Sequence, residues 1–187
     1  MTIDKITATD KVEAITKYNA MPEDTMSIHG SYHAVCYSAD GFIKWEDEIE
    51  NLVTPVGKNF TLDTAFGNIA GGAVVMGLKG TGTALVADTQ ASHASWLEVG
   101  GTNAPAYSGS RPTPSFSAAS AGSKATSSAV SFSITSTGNV FGCFINIGGS
   151  APKDSTTGTL FSAGDFSSSK SVINGDTIAV TYTATLT

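Results

Sequence analysis

The stretch DTIAVTYTATLT, residues 176–187, alternates apolar and polar side chains with a period of two. Ile178, Val180, Tyr182, Ala184 and Leu186 fall on one side, and Thr177, Thr181, Thr183 and Thr185 with Ala179 on the other. Successive side chains of an extended strand point to opposite faces, so this pattern predicts a strand with one face in a core and one in water. The chain before it repeats the theme. NVFGCFINIGG and GTLFSAGDFSS follow one another at close spacing with Gly, Asn and Asp between them, the mark of an antiparallel sandwich or barrel. Half of the 30 residues from Ser108 to Thr137 are Ser or Thr, 15 in all, a composition that suggests disorder. Alternation of Val130, Phe132 and Ile134 with Ser and Thr in SSAVSFSITSTG predicts a half-exposed strand there instead.

Further upstream, SIHGSYHAVCYS and FIKWEDEIENLVT read as two strands joined at Asp40-Gly41, a strong hairpin signal. In the second, Ile43, Trp45, Asp47 and Ile49 share one face, and Lys44, Glu46, Glu48 and Glu50 line the other. GKNFTLDTAFG predicts a short helical turn from Asn59 to Phe66 closed by Gly67, and GGAVVMGLKG a buried strand.

The chain has 187 residues, enough to bury roughly two thirds of its unfolded surface in one core. Only 14% of residues are charged, so the surface must be built largely from Ser, Thr, Gly and Asn. The net charge of −6, with Lys and Arg scattered singly, argues against a nucleic-acid partner. MTIDKITATDKVEAITK has no apolar core and no run approaches a membrane span, so synthesis in a cytoplasm and no membrane partner are expected. Of the 26 charged residues, 14 lie in residues 1–54, 5 in 55–99 and 7 in 100–187. Residues 1–27 are charge-rich and hold few large apolar residues, which predicts an extended or weakly helical arm that is either mobile or laid on a neighbouring subunit. Residues 28–187 form the sandwich. The expected fold is thus mainly β: an antiparallel β-sandwich or jelly-roll-like domain with one or two short helical turns and an N-terminal arm.

Four constellations invite a chemical reading. ADTQASHASW, Ala87 to Trp96, gathers Asp88, Ser92, His93 and Ser95, but the strained nucleophile turn and oxyanion donors of a serine hydrolase are missing. Capping of a single helical turn by Asp88 or Thr89, with His93 and Trp96 on one face, is the preferred reading. The carboxylates Glu46, Asp47, Glu48 and Glu50 run along one strand and suit a solvated, pairing-resistant edge better than glycosidase acids or a calcium loop. His29 and His33 share a strand face, yet a third metal ligand is not evident nearby. Cys36 and Cys143, each in an apolar run, read as buried free thiols. The glycine runs GNIAGGA and GLKGTGT lack the Lys-Ser or Lys-Thr ending of a phosphate loop and are expected to be turns. No catalytic, cofactor or metal residue is expected.

In order, GFIKWEDEIENLVTPVGKNFTLDTAF, VVMGLKG, ADTQASHASWLEV, YSGSRP, VFGCFINIGG and TGTLFSAGDFSSSKSVINGDTIAVTYTATL resemble a family of small proteins encoded in the structural gene blocks of tailed bacteriophages. The resemblance runs from about Ile28 to the C-terminus. It implies a non-enzymatic virion component, a capsid cement or decoration protein that binds the outer surface of the major capsid protein shell as a homodimer or homotrimer. A tail, fibre or receptor-binding component is the alternative. The family brings no catalytic residues and no cofactor. This sequence departs from its pattern at Gln90, where Met is more common, and in the length of the N-terminal arm.

Overall fold

A computed structural model describes residues 26–187. The arm expected over residues 1–27 therefore lies, apart from Met26 and Ser27, outside the described residues. Ten strands and one helix follow in order: β1 (Ile28–Tyr37), β2 (Ile43–Glu50), β3 (Leu52–Val53), α1 (Pro55–Ala65), β4 (Val74–Gly82), β5 (Trp96–Val99), β6 (Ser123–Ala125), β7 (Val130–Ser133), β8 (Gly138–Ile147), β9 (Thr159–Val172) and β10 (Thr177–Leu186).

They form two five-stranded antiparallel sheets packed as a β-sandwich. The first has the order β2-β1-β10, with β6 and β7 both pairing along the far side of β10; the second runs β3-β9-β8-β4-β5. Consecutive strands pair as hairpins, β1/β2 in the first sheet and β4/β5 and β8/β9 in the second, and the chain passes between the sheets after β2, β5, β7 and β9. The β1–β2 hairpin turns where the sequence places it: Gly41 holds a positive φ of 82°, and its N–H donates to Ser38 O over 2.9 Å.

Strand β10 is central to its sheet, and its alternation reads as burial from Ile178 to Tyr182; beyond it Ala184 is half-buried and Leu186, expected on the core face, is exposed. Ile178, Val180 and Tyr182 are buried against Tyr32, Cys36, Val140 and Cys143 of the main core. Its threonine face is half-buried, not open to water, because β1 and the β6–β7 pair flank it. Tyr32 ties the sheets together, its hydroxyl lying 2.6 Å from Ser162 Oγ and its ring 4.7 Å from that of Tyr182.

The helix begins four residues earlier than the sequence reading has it. Thr54 caps it, accepting from Gly57 N at 3.0 Å, and Pro55 takes the first helical position, where its missing N–H costs nothing. Thr54-Pro55 is a start signal that the Asn59 boundary passes over. Gly57 permits the close seat on β9, since a Cβ there would stand 2.5 Å from Phe161 O. Among the described residues no helix is long and apolar enough to cross a membrane.

Candidate functional site

Charges are few in this chain, yet several are buried beneath one set of loops. Lys79, Asp88, Glu98 and Arg111 are all buried. They organise three connections, residues 83–95, 100–111 and 148–158, over the outer face of β4 and β8.

The first connection is the ADTQASHASW turn. No helical turn forms there, which corrects the expected cap. Asp88 instead accepts from Leu85 N at 2.7 Å and from Trp96 Nε1 at 2.9 Å, with Ser95 Oγ donating at 3.3 Å. Thr89 does accept from Ser92 N at 3.0 Å through its hydroxyl, but backbone bonds running both ways between these residues close a tight loop before a helix can propagate. Trp96 is buried in a second apolar cluster with Ala84, Phe144, Leu160 and Ala163. The His93 ring lies on the indole, centroids 3.9 Å apart and planes 18° from parallel, and its Nδ1 sits 3.1 Å from Trp96 O. His93 is thus committed to Trp96 and Ser95 to Asp88, while Ser92 points to solvent. The hydrolase parts are near in sequence and are not assembled into a relay.

The second feature is the Glu98–Arg111 pair, which sequence reasoning missed. Arg111 donates from Nε to Glu98 Oε1 at 2.8 Å and from Nη2 to Oε2 at 2.5 Å, a two-pronged contact suited to the planar guanidinium. Glu98 Oε2 also accepts from Asp154 N at 3.0 Å, and Arg111 Nη2 reaches Ser155 O at 2.9 Å. Gln90 is buried and donates from its side-chain amide to the same Ser155 O at 2.9 Å. Lys153 donates to Tyr107 O at 2.6 Å and stands 4.2 Å over the Tyr107 ring. All three connections are pinned together. The neighbouring Lys79–Asp165 contact, at 2.9 Å, joins β4 to β9 beneath Trp96.

The remaining expected residues are placed separately. Glu46, Glu48 and Glu50 are exposed along β2, the outer strand of its sheet. Asp47 turns inward to Lys170 Nζ at 2.8 Å and accepts from Ser167 Oγ at 2.7 Å; these bonds and that charge outweigh the effect of its burial and hold its pKa below the usual carboxylate value. His29 bonds Ser27 Oγ at 2.8 Å, and His33 Nε2 lies 2.6 Å from Glu46 Oε1. Among the described residues no group of three or more His, Cys, Asp or Glu is placed to hold a metal ion. Cys36 and Cys143 are free and buried, as expected.

Lys79 stands alone in the apolar run VVMGLKG, whereas Arg111 sits in the polar stretch YSGSRP, which carries no such signal. A lone charge inside an apolar strand, in a chain so sparing of charge, is the legible signal of a buried pair. Nothing in the sequence names the partner, because Asp165 and Glu98 meet these residues only through sheet register and loop packing. Compared with protein-family models, with curated proteins and with solved structures, the chain matches none.

Proposed function

We propose that this chain is a non-enzymatic structural component of a tailed-bacteriophage virion, a cement or decoration protein that binds the outer surface of the major capsid shell as a homo-oligomer. The observation that carries this reading is the display of large apolar side chains on a low-charge surface. Phe42 is 74% exposed at the β1–β2 turn and Phe66 is 85% exposed at the end of α1. Neither stands alone. Ile43, the next residue after Phe42, is also exposed, and Leu62, one helical turn before Phe66 on α1, is exposed as well, as are Ile69 and Ile173. Apolar groups grouped on a folded surface mark protein contacts. The buried charge pairs support the same role, because they fix loops without making a relay for chemistry. The resemblance of the ordered motifs to those of phage structural proteins favours the major capsid protein as the partner.

The test is a reconstruction of the intact particle, paired with addition of the purified chain to shells that lack it. Density for the sandwich on the outer shell, and saturable binding that raises the temperature at which shells rupture, are expected. Binding by Phe42→Ser and Phe66→Ser variants should fall while their melting temperatures hold. Density confined to the tail or fibres, with no binding to shells, would overturn the proposal in favour of a tail or receptor-binding component.

A further inference from the structure

The Lys79–Asp165 contact differs from every feature of the Glu98–Arg111 pair beside it. In the latter both carboxylate oxygens receive directed bonds from the guanidinium. In the former, Lys79 Nζ lies 2.9 Å from Asp165 Oδ1 without the angle of a hydrogen bond, and this buried oxygen has no hydrogen-bond partner. The other oxygen, Oδ2, accepts from Ala84 N at 2.9 Å. Lys79 is fully buried, with its Nζ 4.7 Å from the Trp96 ring centroid and one N–H given to Gly82 O at 3.1 Å.

Register explains how the two side chains meet. Lys79 pairs with Gly142 on β8, and Gly142 pairs with Asp165 on β9, so the three form one row across the sheet. The middle residue has no side chain, and the β9 backbone at Gly164 and Asp165 packs close against it, which brings Asp165 into the same row as Lys79.

We infer that Lys79 and Asp165 are the two halves of an intramolecular amide cross-link, formed once in the folded chain between Lys79 Nζ and Asp165 Cγ. One proton passes from the ammonium to Oδ1, giving a neutral amine and a carboxylic acid. The Nζ lone pair then adds to Cγ, and the developing oxyanion on Oδ2 is met by the Ala84 N–H already aimed at it. A second proton moves from nitrogen to the Oδ1 hydroxyl, the Cγ–Oδ1 bond breaks, and one water leaves. An ammonium and a carboxylate thus become a secondary amide plus water, with no redox change. The amide keeps a single N–H for Gly82 O.

The surroundings favour each step. Burial pulls the Lys79 pKa down, against the raising influence of Asp165 and Asp88, and makes the neutral amine more accessible. Condensation removes two charges that the interior solvates poorly. Both residues sit on paired strands, which hold the reacting groups in place. The Asp165 side chain is 33% exposed and borders an open groove of about 320 Å³ between Glu50, Leu52, Thr83 and Ala84, which gives the departing water an exit.

Intact mass spectrometry of the purified, folded, full-length chain decides the matter. A mass one water below the linear chain is expected, with digestion yielding a single branched peptide that joins Lys79 to Asp165. Lys79→Arg and Asp165→Ala should return to the full linear mass, whereas Asp165→Asn should lose one ammonia, which an ion pair cannot do. A wild-type mass equal to the linear chain would overturn the inference and leave an ordinary ion pair. This reading does not depend on where the protein assembles, so its failure leaves the proposed virion role standing.

Discussion

Trp96 Nε1 donates to Asp88 Oδ2 over 2.9 Å, and this bond ties the largest fully buried side chain to a carboxylate eight residues before it. The indole is simultaneously the floor for His93 and the lid over Lys79. Trp96→Ala should therefore cost ~3–5 kcal/mol, from lost burial and an open cavity. Trp96→Phe keeps most of the packing but orphans part of the Asp88 carboxylate, and should cost about 1–3 kcal/mol. Ser92→Ala, on an exposed side chain, should change stability by no more than ~0.5 kcal/mol. Denaturant titrations of the three variants check the order; equal costs for Ser92 and Trp96 would contradict it.

The Glu98–Arg111 pair carries a different expectation. Removing one partner leaves a buried charge facing an empty site, so Glu98→Ala should destabilise the protein by about 3–5 kcal/mol. Replacing both residues with apolar side chains of similar volume should cost much less than the two single changes added together. A double-mutant cycle measures the difference. Additive single and double effects would show that the two side chains are not coupled.

What the sequence made legible follows from period and range. The core face of β10 from Ile178 to Tyr182 and the Asp40-Gly41 hairpin are local patterns, and both appear where alternation and turn chemistry put them, while Leu186 at the strand's end is exposed. The helix start differs because the Asn59 boundary passes over the Thr54-Pro55 cap, which begins the helix a turn earlier. At ADTQASHASW the local spacing points to a capped turn, whereas the structure pairs Asp88 with Leu85 N and the Trp96 indole. An i,i+3 cap predicts a helix, whereas Asp88 reaches forward eight residues to an indole whose position depends on β4, β5 and β8. Lys79–Asp165 lies furthest from view. It requires the register of three strands across more than eighty residues, and no local signal encodes that.

Asp47 gives a pH dependence whose sign follows from its lowered pKa. Its folded carboxylate, held by Lys170 and the Ser167 donors, ionises at lower pH than in the unfolded chain. The stabilisation it provides is fully present above the ordinary aspartate pKa of about 4 and is lost as pH falls through the folded value. Melting temperature measured from neutral to acidic pH should drop less steeply below that point in Asp47→Asn than in the parent chain. Parallel curves would show that Asp47 has no share in acid unfolding.

The two cysteines should be chemically silent in the native state. Burial pushes the Cys36 thiol up to about 11, and Cys143, fully enclosed, is shifted further in the same direction. Only the thiolate attacks an alkylating agent, so at pH near 8 neither residue should react at the rate of a free thiol. Timed alkylation followed by mass measurement should show labelling only when denaturant is added. Rapid labelling of Cys143 in the folded protein would place that side chain outside the core.

Gly142 joins the packing of the second sheet to the contact beneath Trp96. A Cβ on Gly142 would stand 1.9 Å from Gly164 O and 3.1 Å from Asp165 Cα, and both obstacles belong to the backbone of β9. No rotamer change relieves such a clash, so Gly142→Ala must push β8 and β9 apart at the point where Asp165 is presented to Lys79. A cost of about 1–3 kcal/mol is expected, as for other overpacked sites. Hydrogen exchange should locate the loss: amides of the β8–β9 pairing around residues 142–165 should exchange faster, while those of the β1–β10 pairing in the opposite sheet keep their protection. Uniform loss in both sheets would show that the substitution weakens the whole sandwich and that Gly142 holds no local place in the Lys79–Asp165 row.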